Sequence, residues 1–367
     1  MNFIDFEKIS IGFIILLLIV AAVVVWISGT RLSKLSDQLA KRTGLGRAFI
    51  GVLLLGGITS LPEVATTLTA SVEGNAGMAI SNILGGVSMQ VTILAVVDFW
   101  VRKQPISTST STIVLIMEGS MVIILLALTG VFMLVPGFSI FHFGINSLFI
   151  FLLFLFSLFI VHKYSALSWV SYRKSDVDSL IKISDFFKKQ QENAEKESQE
   201  ENDDLISIGT FFKSKGLWFL LLSVLILVAG YFVVKTSERI AEETGIGTSF
   251  AGLVLIAITT SLPEISTTIA AVKLKRYDMA VSNIFGTNLF DITLIFLADL
   301  FFLKGPVLSE LSQFEVVAAF LGIVLTSIYV VGIATRNKKS FLKLGYDSWI
   351  ILLTYITGIL ILFNMKG

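Results

Sequence analysis

The 367 residues include no cysteine and only two histidines, His142 and His162. Disulfides and thiolate metal sites are therefore excluded. The histidines fall in a loop and at a helix end, which leaves zinc and copper without a ligand set. Charge is scarce as well. Asp, Glu, Lys and Arg make up 15% of the chain, with a formal net charge of +1, so no basic surface invites nucleic acid. No Ser/His or metal-binding His constellation could carry an intramembrane enzyme. The chain reads as a non-enzyme with no resident cofactor.

What it has instead is apolar length. Hydrophobic residues form 54% of the chain, including 30 Phe, and the mean hydropathy is +0.85. Ten apolar stretches cover residues 10–29, 47–71, 78–100, 111–135, 144–166, 216–235, 248–272, 279–303, 313–335 and 346–365. Each is about 20 residues, long enough to cross roughly 30 Å of hydrocarbon. This predicts an all-α polytopic membrane protein with ten transmembrane helices, bathed in membrane lipid. The first run follows Asp5, Glu7 and Lys8 with no small-residue cleavage site after it, and is read as a span rather than a signal peptide.

Basic residues are partitioned. Of 28 Lys and Arg, only Lys8, Lys235, Arg239, Lys304 and Lys366 fall on one side of the alternating loops. The other side carries the rest, among them Arg31, Lys34, Lys41, Arg42 and Arg47. With the long polar stretch 167–215 and Lys163 just before it set aside, the bias is still 14 to 5. The richer side is cytoplasmic by the positive-inside rule, so both termini face outward and the long central loop faces the cytoplasm of the cell membrane.

The second half repeats the first at a constant offset of 201 residues. Thr59-Ser60-Leu61-Pro62-Glu63 returns unchanged as Thr260-Ser261-Leu262-Pro263-Glu264, and Thr43-Gly44-Leu45-Gly46 returns as Thr244-Gly245-Ile246-Gly247. Thr66-Thr67 aligns with Thr267-Thr268, Ser81-Asn82-Ile83 with Ser282-Asn283-Ile284, and Asp98 with Asp299. A five-span unit is odd, so its second copy enters from the opposite face. Two inverted five-helix repeats follow, residues 1–166 and 216–367, joined by a cytoplasmic linker over 167–215. Within the linker, Val177, Leu180, Ile181 and Phe187 among lysines fit a short amphipathic helix on the inner leaflet. The seven acids from Glu192 to Asp204 could sense calcium, although a solvated linker is the simpler reading.

The chemistry sits in the repeated motif. Pro62 and Pro263 have no N–H for the carbonyls of Ile58 and Thr259, so each helix should kink about a turn before its Glu. A carboxylate at that depth costs a few kcal/mol and is seldom kept without a use. Freed carbonyls inside a bilayer need a partner of their own. The following helices add the amides Asn82, Asn283, Asn288 and Gln90, the hydroxyl of Thr287, and a third carboxylate, Asp291, whose repeat mate is Gln90. All are hard oxygens, the ligands that Ca²⁺ takes six to eight at a time at about 2.3–2.6 Å. Three carboxylates brought together would titrate as a coupled set.

These motifs resemble the sodium/calcium exchanger family of the cation/calcium antiporter superfamily. The resemblance covers residues 44–100 and 245–301, the ten-span count and the central loop. It implies an antiporter that binds Ca²⁺ and Na⁺ as substrates at mid-membrane, functions as a monomer and works by alternating access, with the first and sixth helices sliding across the rest. It also implies that Glu63 and Glu264 hold Ca²⁺. Thr59, Ser60, Thr260, Ser261, Thr287 and Asp291 would complete the ion sites, with backbone oxygens of Gly56 and Ala257.

One departure stands out. Where the family usually has Gly-Ser-Asn in the first repeat, this chain has Gly85-Gly86-Val87, and Gln90 replaces a shorter Asn. The lost oxygens favour an alternative, a proton-coupled exchanger of Ca²⁺ or another divalent cation. A passive pore would use the same oxygens without coupling. Of the remaining acids, Asp98 and Asp299 are expected to reach the interface from their helix ends. Glu118, whose mate is Ala319, is expected to pair with a neighbouring helix, with a proton path as the alternative.

Overall fold

The computed structural model describes residues 6, 9–43, 60–101, 105–110, 113–135, 137–140, 142–171, 215–273, 275, 277–336, 340–341 and 344–365. In chain order the first helices are α1 (Ile11–Thr43), α2 (Leu61–Val72), α3 (Ala76–Val97), α4 (Ile113–Leu134) and α5 (Ile145–Ser171). They are followed by α6 (Lys215–Thr244) and by α7 (Thr248–Thr260) and α8 (Leu262–Lys273), which meet at an angle of 47°. The chain closes with α9 (Tyr277–Phe301), α10 (Gln313–Thr335) and α11 (Tyr346–Met365).

Among the described residues, seven helices are long and apolar enough to span a membrane, and the bent α7–α8 pair makes an eighth. Helix α5 adds the shorter apolar stretch Ile145–Val161. The second expected span is represented by α2. Its first part, with Gly56 and Thr59, lies outside the described residues, as does the expected amphipathic helix in the linker.

Burial ranks the helices. In α3, 89% of the apolar stretch is buried, and in α9 72%, against 22% in α1 and 17% in α11. Helices α3 and α9 therefore form the centre. The rim shows Phe13, Leu16, Trp218, Leu220, Ile356 and Leu360 outward, as expected where the solvent is lipid and apolar residues need no cover. Two glycines let the centre close up. A Cβ on Gly85 of α3 would run into the Leu253 carbonyl of α7, and one on Gly252 would meet the Met78 carbonyl. The two backbones thus touch, as small residues allow in membranes. On the α7 side the contact falls in a π-helical turn, Gly252–Ile256, a distortion frequent at functional sites.

The halves match at the same offset of 201 seen in the sequence. A hairpin of β1 (Ser139–Ile140) and β2 (Phe143–Gly144) pairs Ser139 with Gly144. Its counterpart, β3 (Ser340–Phe341) with β4 (Leu344–Gly345), pairs Ser340 with Gly345. The expectation that Asp98 and Asp299 reach the interface is wrong. Both are 1% exposed. Asp98 accepts the N–H of Ile106 at 2.7 Å, that of Gly345 at 2.8 Å and the Ser348 hydroxyl at 2.9 Å. Asp299 accepts the N–H of Val307 at 2.6 Å, that of Gly144 at 2.7 Å and the Ser147 hydroxyl. Every partner of one is the 201-residue mate of a partner of the other. Each carboxylate fastens a loop of its own half to a hairpin of the opposite half, and its hydrogen bonds replace the water it gave up.

Candidate cation site

The second motif breaks its helix at the serine, and in the first a helix begins directly after the serine. Ser261 has φ −79° and ψ 3°, so α7 ends at Thr260 and α8 starts at Leu262. Ser60 has nearly the same conformation, φ −81° and ψ 14°, and α2 starts at Leu61. Proline is tolerated in a first helical turn because no N–H is needed there and its φ is already helical. The two helices bond back to the serines, from Val64 N–H to the Ser60 carbonyl at 2.9 Å and from Ile265 N–H to that of Ser261 at 3.0 Å. Glu63 and Glu264 therefore stand in the first turn of their helices, where the peptide dipoles favour negative charge.

The two helix starts bring the carboxylates together at the centre. Glu63 is 0% exposed, Glu264 and Asp291 1% each, and Glu63 lies within electrostatic reach of both others. Thr260 turns toward Glu63, and Ser60 toward Asp291. Both carboxylate oxygens of Glu63 and of Glu264 lack a hydrogen-bond partner among the described residues, as do Asp291 Oδ1, Gln90 Oε1, Asn82 Oδ1, both polar atoms of the Asn288 side chain, and the hydroxyls of Ser60 and Ser261. Buried polar atoms normally find partners, and an orphan costs about 1–3 kcal/mol. So many orphaned buried oxygens, the three carboxylates among them, offer the hard-oxygen chemistry that a cation could take.

The amides hold the frame. Gln90 Nε2 donates to Asp291 Oδ2 at 3.1 Å. Asn82 Nδ2 donates to Thr66 Oγ1 at 2.9 Å and more weakly to Thr67 at 3.4 Å, while Asn283 Nδ2 donates to Thr267 Oγ1 at 3.3 Å. The nitrogens face the threonines, and the Asn82 oxygen is left over. Thr287 gives its proton to the Asn283 carbonyl at 2.7 Å, keeping its lone pairs. Among the described residues nothing lies within 4 Å of where a Cβ on Gly86 would stand.

Of the site residues expected from sequence, Ser60, Glu63, Thr260, Glu264, Gln90 and Asp291 converge here, and the buried Ser261 follows Thr260 in the chain. Asn82 and Asn283 lie on the helices that frame the cluster, and Thr287 follows one turn after Asn283. The Ala257 carbonyl accepts the Ser261 N–H at 3.1 Å and the Thr260 hydroxyl at 3.4 Å. Its second lone pair is what a cation could use. Among the described residues no three acidic or histidine side chains converge closely enough to hold a metal ion by themselves. An ion would draw on hydroxyls, amides and carbonyls too. The role of Thr66, Thr67 and Thr267 in orienting the asparagines was missed, although the repeat of Thr66-Thr67 at Thr267-Thr268 signalled it.

Residues 13–161 and 215–364 match the family described as sodium/calcium exchanger protein. Among curated relatives, the sodium/calcium exchanger MaX1 of Methanosarcina acetivorans is 25% identical over 376 residues, covering 97% of this chain and 99% of its own. Among solved structures, the sodium-calcium exchanger NCX_Mj superposes with a TM-score of 0.56 at 17% identity, covering 96% of this chain and 99% of its own. The H+/Ca2+ exchanger CAX gives a TM-score of 0.58 at 12% identity, covering 96% and 88%. These likenesses at low identity establish a shared fold.

Proposed function

Because this chain belongs to the sodium/calcium exchanger family, an integral multi-pass membrane transporter and not an enzyme, we propose that it exchanges Ca²⁺ for Na⁺ by alternating access. The observation that carries the reading is the set of orphaned buried oxygens around Glu63, Glu264 and Asp291. Carboxylates this deep are tolerated when they meet a cation or a proton. Ca²⁺ fits the chemistry: hard oxygens, mixed charge and irregular geometry. The ligands would be Thr59, Ser60, Glu63, Asn82, Gln90, Thr260, Ser261, Glu264, Asn283, Thr287 and Asp291, with the carbonyls of Gly56 and Ala257.

In this reading the chain is two inverted five-helix repeats, residues 1–166 and 216–367, with 167–215 as a cytoplasmic linker and both termini outside the cell. The matched bonds of Asp98 and Asp299 support it, because they recur at the C-terminal ends of the mated helices α3 and α9 at the repeat offset. So do the contacts of the helices that would slide. Gly29 on α1 fits against Pro263, and Gly230 on α6, its mate by 201, fits against Ala65 and Thr66. Small residues at both crossings let the outer helices run close over the kinked segments. One chain supplies both halves of the site, so a monomer suffices.

A second reading, proton in place of Na⁺, draws on Gly86 and Val87. The first repeat has no hydroxyl or amide at these positions, and among the described residues the space beside Gly86 is open. A carboxylate cluster with few neutral oxygens is served as well by protons as by Na⁺. One experiment separates the readings. Purified protein in sealed vesicles loaded with Na⁺, or with acid, is given external Ca²⁺. Uptake driven by the Na⁺ gradient supports the first reading, uptake driven only by the pH gradient supports the second, and uptake with neither gradient refutes both.

A further inference from the structure

Two buried glutamates lie outside the candidate site. Glu315 of α10 is 1% exposed and Glu118 of α4 is 3% exposed. Glu315 Oε1 accepts the hydroxyl of Ser81 at 3.3 Å, and Glu118 Oε1 accepts that of Ser282 at 3.1 Å. Ser81 and Ser282 are repeat mates, and each immediately precedes a site asparagine, Asn82 or Asn283. The glutamates are not mates. The position equivalent to Glu118 is Ala319, and that equivalent to Glu315 is Val114. On each helix the two positions are four residues apart, one turn along the same face. The halves thus arrive at the same contact from non-equivalent residues, each supplied by the opposite half.

A serine fixed to a neighbouring helix fixes the rotation of its own helix. The adjacent asparagine then has one direction in which to project. Resting on the cation-exchange reading above, we propose that Glu118 and Glu315 are specificity-determining positioning residues. They lock the rotation of α9 and α3 so that the oxygens meeting in the centre enclose a cage of fixed size. Cage size is what separates Ca²⁺, at about 2.3–2.6 Å, from Mg²⁺, at about 2.0–2.1 Å. The contacts differ in strength. Glu315 Oε2 also accepts the Ser312 N–H and hydroxyl, each at 2.8 Å, closing a capping box at the start of α10. Glu118 Oε2 has no partner among the described residues. The Glu118–Ser282 pair is therefore the one that can be cut without uncapping a helix.

The test uses the full chain in vesicles, with labelled Ca²⁺ uptake in the absence and presence of Mg²⁺ as competitor. Ser282→Ala and Glu118→Leu should each raise the apparent KM for Ca²⁺ by about tenfold, the lower end for lost outer-shell partners, and strengthen Mg²⁺ competition, with maximal rate and melting temperature near wild type. Glu118→Gln keeps an acceptor for Ser282 and should restore wild-type selectivity. The double variant should be no worse than either single one, because both remove the same contact. Unchanged selectivity in Ser282→Ala, with wild-type uptake intact, overturns the inference alone, as would additive losses in the double variant. Absence of Ca²⁺ uptake by the wild type overturns the exchange reading and this inference with it.

Discussion

Gln90 and Asp291 are hydrogen-bonded to each other at 3.1 Å, and their sequence separation of 201 is the repeat offset itself. Repeat mates can touch only where the two halves meet, so this bond marks the centre line of the molecule. It also shows how the halves share work. One contributes a carboxylate, and the other contributes the amide that holds it, leaving Asp291 Oδ1 and Gln90 Oε1 without partners. Gln90→Leu removes both the donor and one cradle oxygen. The apparent KM for Ca²⁺ should rise by about tenfold or more, with the protein still folded. Kinetics like those of the wild type would show that Gln90 is a bystander.

Gly86 and Gly85 are adjacent and should respond oppositely. Among the described residues nothing occupies the space beside Gly86, so Gly86→Ser should fit, add a hydroxyl one turn before Gln90 and strengthen competition by Na⁺ against Ca²⁺. Helix stability should rise by a few tenths of a kcal/mol (~0.5 at most) as a glycine leaves a helix interior. Equal Na⁺ inhibition in variant and wild type would remove Gly86 from the account.

Gly85→Ala places a methyl group against the Leu253 carbonyl. The neighbour is backbone and cannot swing aside, so α3 and α7 must separate. The expected loss is about 1–3 kcal/mol, read as a lower melting temperature in detergent together with loss of transport. A variant as stable as the wild type would mean that the two helices are not in backbone contact.

Asp98→Asn and Asp299→Asn should be costly to similar degrees. Each carboxylate accepts two backbone N–H groups and one hydroxyl. An amide has one acceptor oxygen, so at least one buried N–H is left facing another N–H, for about 1–3 kcal/mol. Denaturant titration of both variants checks it. A large loss in one and none in the other would contradict the symmetry of the two fasteners.

Much of this was legible in the sequence because the informative residues are the ones a membrane normally excludes. A proline and a carboxylate in an apolar run announce a helix boundary, and in both motifs a helix starts directly after the serine that precedes Leu-Pro-Glu. The repeat offset even contains the Gln90–Asp291 bond, since it names them as mates. Asp98 and Asp299 were misread because hydropathy sees only sequence neighbours. Their partners, Gly345, Ser348, Gly144 and Ser147, come from the opposite half. The pairing of Glu118 with a neighbouring helix was expected and is found, but its partner was not foreseen, and Glu315 escaped. The two glutamates meet equivalent serines from non-equivalent positions, which an offset cannot reveal. The resemblance offered the Ala257 carbonyl as a ligand without showing that it also accepts the Ser261 N–H.

The central claim is that the unpartnered oxygens around Glu63, Glu264 and Asp291 bind a cation. Equilibrium binding of labelled Ca²⁺ to the purified protein tests it most directly, without any need for a gradient. The account predicts saturable binding by the wild type, and a loss of about tenfold or more in affinity in both Glu63→Gln and Glu264→Gln, with melting temperatures no lower than the wild type. Binding of wild-type affinity in either glutamine variant would contradict it.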